Sequence, residues 1–256
     1  MNQFTVQRAC AWSGMVGVVL FFLAFVLADF LPPLSPSLTP EEVAAHYREH
    51  SRGIIVGMLL MMFSGMFITL LVGVISAQLR RIPTVSRALV YAQISAGTAG
   101  SLFFFIPPVM FIITAFRPDR AIQTTYMLND LCWILTVLPF PPALMQNVVI
   151  GTAILSDKRP QPLFPRWVAY VNFWVAIGFL PASALPFFKY GAFAWNGLFP
   201  FWLAATVFFA WFVVMTIALL RAIRQEEEES GTVRVPEGVT SRRAGEEIGS
   251  LPATTQ

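Results

Sequence analysis

The chain has two histidines, His46 and His50, four residues apart in a stretch from Glu41 to His50 that reads as helix. With Glu42 one turn earlier, three side chains capable of ligation share a helical face. A His-x3-His pair can present two imidazoles to one ion, but a catalytic zinc site takes three protein ligands. Glu42 is needed elsewhere. Thr39-Pro40-Glu41-Glu42 has the form of a capping box, with Thr39 as cap, Pro40 in the first helical position and Glu42 reaching back. A third ligand would have to be Asp29 or Asp130, and on two histidines the sequence assigns no metal. The same scarcity excludes haem held by two histidines inside the apolar body, and a histidine-rich di-iron centre.

Asp130 is the one acid close to the apolar body of a helix, preceded by Asn129 and followed one turn later by Trp133. At mid-bilayer an aspartate costs about 2.5–3.5 kcal/mol, so such acids often mark ion or substrate paths. In the first turns of a helix the macrodipole favours the same charge, which is the structural explanation for it. Asp130, Asn129, Trp133, Asp29, His46 and His50 are therefore the candidate binding residues. No catalytic residue and no cofactor is assigned: P-loop, GxSxG and CxxC patterns are absent, and the two lysines, Lys158 and Lys189, fall in loops. Cys10 and Cys132 fall near opposite ends of the expected fold, too far apart to pair.

The elements that must hold these residues are read from what is missing. Of the chain, 56% is hydrophobic and 12% charged, where a soluble domain is nearer 25% charged. Stretches free of Asp, Glu, Lys and Arg run Ala9–Ala28, Gly53–Leu79, Ala88–Phe116, Leu131–Ser156, Trp167–Phe188 and Tyr190–Leu220. Each has the roughly 20 residues that carry a helix across hydrocarbon, where unpaired backbone amides force helix over strand. The first is too long for the apolar core of a cleaved signal peptide. The fold class is all-α, a six-helix transmembrane bundle. A short extracytoplasmic helix, Glu41–His50, is expected to rest at the interface between spans 1 and 2. Nine basic residues near the membrane fall on one side if the N-terminus is inside, against five on the other, which predicts both termini in the cytoplasm.

Residues 1–224 form the expected membrane domain and 225–256 an acidic cytoplasmic tail. From Gln225 the chain holds seven glutamates and three arginines, a net charge of −4 within a total of +3. It is too poor in apolar residues to fold, so it reads as disordered. The basic excess of the body suits the anionic headgroups of a bilayer, here a bacterial cytoplasmic membrane, and not nucleic acid.

Prolines interrupt three spans, at Pro107-Pro108, at Pro139-Phe140-Pro141-Pro142 and at Pro181 and Pro186. Each deletes a helical hydrogen bond, and broken helices at membrane depth are tolerated where protein or a cavity satisfies the freed carbonyls. Spans three to five are expected to enclose an outward-facing cavity bordered by Asp130, with Pro107, Pro139 and Pro181 in its wall. Gln93, Gln146, Asn147 and Asn172 read as amides bonding to each other between helices. Gly53, Gly57, Gly65 and Gly73 line one side of span two as a packing seam. Phe30-Leu31-Pro32-Pro33, Phe105-Ile106-Pro107-Pro108 and Phe179-Leu180-Pro181-Ala182 recur at intervals of 75 and 74 residues, which suggests three related hairpins.

The stretch from Leu34-Ser35-Pro36 to Glu41-Glu42 with the Gly53–Gly65 span, and Phe193-Ala194-Trp195-Asn196-Gly197, resemble uncharacterised multi-pass membrane proteins of actinobacteria and proteobacteria. The resemblance covers most of residues 10–224 and implies a membrane fold, with no catalytic residue to carry over. Two functions fit the sequence. One is a small permease or membrane-embedded binding protein for an apolar or amphipathic molecule. The other is a structural or accessory subunit packed against a membrane-protein partner. An outer-face enzyme using His46, His50 and Asp130 ranks third, and the chain is not read as an enzyme.

Overall fold

The computed structural model describes residues 2–233, and among these the chain is helical, without strands. Six helical segments are long and apolar enough to cross a membrane. The first is α1 (Gln3–Leu27) and the second α2 (Pro40–Leu79). The third is α3 (Arg87–Ser101), continued through a 3-10 turn at Leu102–Phe104 into α4 (Ile106–Phe116). The fourth joins α5 (Ile122–Val137) to α6 (Pro141–Leu155). The fifth is α7 (Arg166–Phe179) with a 3-10 extension Leu180–Phe187. The last passes from a π-helical turn, Leu198–Leu203, into α8 (Ala204–Val233). This is the architecture of a multi-pass integral membrane protein. The chain divides after Ile223 into two units. What is described of the second is the end of α8, where Arg224 Nε donates to Glu228 Oε1 one turn on, 3.0 Å away. Thus 225–233 is helical, and the rest of the expected disordered tail lies outside the described residues.

Two local readings meet their physical reasons. Thr39 Oγ1 accepts from the Glu42 amide at 3.3 Å while the Glu42 carboxylate takes the Thr39 amide at 2.7 Å, the reciprocal capping box that starts α2. The expected short helix Glu41–His50 is not an element of its own, however. With no proline or glycine pair to stop it before Gly53, it forms the first turns of an unbroken 40-residue α2. The prolines do break the spans. Pro107-Pro108 and Pro141-Pro142 occupy the first turns of α4 and α6, where a missing amide hydrogen is harmless. Near both breaks a hydroxyl folds back onto its own helix: Ser101 Oγ donates to Gly97 O at 2.9 Å, and Thr136 Oγ1 to Cys132 O at 2.7 Å.

The exterior is as apolar as the interior. α1 turns Trp12, Val16, Val19, Leu23 and Val26 outward and buries Ala11, Gly14, Gly17 and Ala24. The same helix also buries Phe21 and Phe25, and the large apolar side chains it turns outward suit a lipid surround. α1 and α2 meet closest where α2 has glycine. A Cβ on Gly53 would lie 2.5 Å from Leu27 O, and one on Gly57 would collide with Ala24 O. Gly65 serves another contact, against Phe104 and Phe105 at the break in the third span, and Gly73 faces open space, so the glycines do not form one seam.

The ends of the bundle sort as an even-span fold requires. At one end Gln78 Nε2 donates to Gln7 Oε1 (2.5 Å), Arg81 Nη1 to Ala222 O (3.1 Å) and Thr84 Oγ1 to Ser156 O (2.5 Å). These bonds gather the start of α1, the α2–α3 turn, the end of α6 and α8. At the other, Trp195 Nε1 donates to Leu34 O at 2.7 Å, tying the first long loop to the last. The α6–α7 loop at the first end is built on Asp157. Its buried carboxylate accepts from Arg159 Nε (2.9 Å) and Nη2 (2.7 Å), the Leu163 amide (2.9 Å) and the Arg159 amide (3.2 Å). Burial alone would push the Asp157 carboxyl up, but the Arg159 side-chain bonds and the two amides outweigh it, and it titrates below its ordinary range.

Candidate functional site

Asp29 and the two histidines, from opposite sides of a long loop, come together where α1 ends and α2 begins. The Asp29 amide bonds to Val26 O (3.1 Å) and the Phe30 amide to Phe25 O (2.9 Å), the paired closing bonds of a Schellman motif. That motif needs a left-handed residue after the cap. Asp29 fills the place with φ +54°, where glycine is usual and another residue costs roughly 1 kcal/mol. The turn drives Phe30 into the core, fully buried against Phe111 (4.8 Å between ring centres) and Trp133 (5.2 Å). It also leaves the Asp29 carboxylate facing α2.

There the rings of His46 and His50 lie 4.6 Å apart. Asp29 Oδ2 is 3.9 Å from His46 Nδ1 and 3.5 Å from His50 Nε2, and one ligand atom from each residue falls within 4.8 Å of the other two. Phe30 stacks on His46 at 5.6 Å and 19°, holding its ring plane. His46 Nε2 is buried and has no hydrogen-bond partner. The side chain of Asp29 is 59% exposed, so the group is open on one side.

The other sequence candidates stand around this group in different roles. Asn129 is buried and accepts from Tyr47 Oη at 3.2 Å, next to His46 in α2. Trp133 is fully buried against Phe30, Phe111 and Phe25. Both read as the floor on which the Asp29 turn and the start of α2 rest. Asp130 is half-buried and belongs neither to the histidine group nor to the cavity wall described next. Of the six, the structure brings Asp29, His46 and His50 into one group.

A second feature lies deeper. A cavity of ≈160 Å³, partly open, is lined by residues of all six spans, among them Phe21, Val72, Pro139, Phe179 and Phe208. The expected cavity of spans three to five is therefore corrected. Pro139 is in the wall, Pro107 and Pro181 are not, and Pro200 at the π-helical start of the last span is. Glycines 97 and 100 of α3 and alanines 204 and 205 of α8 leave the room.

One part of the wall is polar. Asn147 gives its Nδ2 to Ala143 O at 2.8 Å, and its Oδ1 is buried without a partner. Gln146 Nε2 is likewise buried and unpartnered, and lies 2.8 Å from where a Cβ on Gly97 would stand. The expectation that the four amides bond to each other does not hold. Gln93 Oε1 takes the Ser76 hydroxyl, and Asn172 Oδ1 accepts from Trp211 Nε1 at 2.9 Å. Gln93, Asn147 and Asn172 each found a nearer partner on another side chain or on their own helix, and Gln146 and Asn147 are among the residues that line the cavity. Their shared depth was the available signal. Which atoms stay unpaired depends on the assembled bundle. No family model matches the chain, and no curated protein or solved structure matches it either.

Proposed function

We propose that the protein is a membrane-embedded binding protein or small permease for an amphipathic molecule about the size of one aromatic ring. The observation that carries this reading is a largely apolar cavity whose lining includes Gln146 and Asn147, each with a buried side-chain amide atom, Nε2 and Oδ1, that lacks a hydrogen-bond partner. An unsatisfied buried polar atom costs about 1–3 kcal/mol, so a small side-chain rotation that brings either atom to a polar ligand group is favoured. The volume suits a single ring, since an apolar cavity of about 150 Å³ takes up benzene. A ring bearing a hydroxyl or amide supplies the apolar body and the polar handle together.

In this reading the bundle sits in a bacterial cytoplasmic membrane with the Gln7–Gln78 end in the cytoplasm. The first turns of α2 lie at the outer interface, and the basic body rests on anionic headgroups. The test is saturable binding of a fluorophenol to the full chain in mild detergent, read by fluorine NMR. Gly100→Leu places a larger side chain in the cavity wall, at a position where an added Cβ meets nothing nearer than Pro142 Cβ at 4.0 Å. It should leave folding intact and abolish saturable binding. Asn147→Leu should weaken fluorophenol more than fluorobenzene. Equal, non-saturable partitioning into the wild type and Gly100→Leu would refute the reading and favour an accessory subunit.

A further inference from the structure

We propose that Asp29, His46 and His50 bind a divalent transition-metal ion of the zinc class, through three protein ligands with one coordination position open to water. The distances are the first reason. Asp29 Oδ2 stands 3.9 Å from His46 Nδ1 and 3.5 Å from His50 Nε2, beyond a good hydrogen bond. A tetrahedral ion with bonds of about 2.0–2.2 Å holds its ligand atoms roughly 3.3–3.5 Å from one another. The two Asp29 distances lie close to that spacing, and all three ligand atoms fall within 4.8 Å of one another. The half-exposed Asp29 and His50 side chains can close the rest by small rotations.

The second reason is the backbone. Asp29 occupies a left-handed position, and the turn it closes brings its carboxylate beside His46 and His50. The third is His46. Its ring plane is held by Phe30, with Nδ1 on the edge turned to Asp29 and Nε2 buried without a partner. Two imidazoles and a carboxylate suit zinc and its neighbours, where magnesium and calcium prefer oxygen alone. The exposed edge at Asp29 is the entry path.

The full-length protein, freed of any purification tag and stripped with chelator, is titrated with Co²⁺ and read by its visible absorption. One Co²⁺ per chain is expected, displaced by Zn²⁺ and not by equal Mg²⁺ or Ca²⁺. His46→Ala and His50→Ala should each weaken Co²⁺ by at least about tenfold. The discriminating variant is Asp29→Gly. It suits the left-handed turn, so its unfolding midpoint should equal or exceed that of the wild type, while Co²⁺ affinity drops by a similar factor. The proposal is overturned if the wild type forms no stoichiometric complex. It is equally overturned if the complex survives in the double variant His46→Ala/His50→Ala, or if Asp29→Gly binds Co²⁺ like the wild type.

Discussion

Gly57→Ala is the most searching perturbation of the α1–α2 contact. An added Cβ would collide with the Ala24 carbonyl oxygen and lie 3.2 Å from both Ala28 Cβ and Ala28 N. The obstruction is largely backbone, so no rotamer change relieves it. Restoring a contact of about 3.4 Å requires the two helices to part by roughly 1 Å. Forced overpacking costs about 1–3 kcal/mol, and alanine returns about 0.8–1.0 kcal/mol in helix propensity. The net loss should be about 0–2 kcal/mol. Gly73 is the internal control, since nothing lies within 4 Å of a Cβ there. Gly73→Ala should stabilise by about 0.5–1 kcal/mol, placing the two variants roughly 0.5–3 kcal/mol apart. Reversible unfolding in mixed micelles measures both. Because Ala28 precedes Asp29, Gly57→Ala should also weaken Co²⁺ binding, and Gly73→Ala should not. Equal stability of the two variants would refute the close backbone approach.

Two further outcomes follow from other parts of the molecule. Asp157 has a folded-state pKa below its ordinary 3.8, so its stabilisation is complete above that value and is lost as pH falls through the lower folded-state value. Asp157→Asn should remove this acid-limb slope and cost about 1.5–3 kcal/mol at neutral pH, as measured by unfolding titrations from pH 7 to pH 3. In a background of Cys10→Ala and Cys132→Ala, Ser37→Cys should react with an impermeant maleimide in intact cells and Ser230→Cys should not. The reverse pattern would invert the proposed orientation.

Much of the fold was legible because local chemistry dictates it. Pro107-Pro108 and Pro141-Pro142 have no amide hydrogen wherever they sit, and Thr39 and Glu42 cap each other across three residues. The site was legible only as its components. His46 and His50 share a helix face by spacing, but Asp29 reaches them through a left-handed turn that aspartate rarely adopts, and nothing in its neighbours announces it. The cavity escaped for a related reason. Its wall takes side chains from all six spans, and its polar patch consists of whatever Gln146 and Asn147 could not bond elsewhere. The prolines located the breaks in the helices without locating the space.

The continuity of α2 has a mechanical consequence. Its 40 residues make a rod about 60 Å long, twice the thickness of the hydrocarbon layer. Ile68, Leu71 and Val72 on this rod face the cavity, and His46 and His50 ride near its far end. No proline or unwound turn lies between them to absorb a displacement. His46 stands 11 residues, or about 16 Å, from Gly57, where the α1 backbone forms a natural fulcrum. Tilting the rod by about 5° there would carry His46 some 1.4 Å sideways, about two-thirds of a metal–ligand bond. A tilt of α2 about that contact would displace the histidines near its first turns.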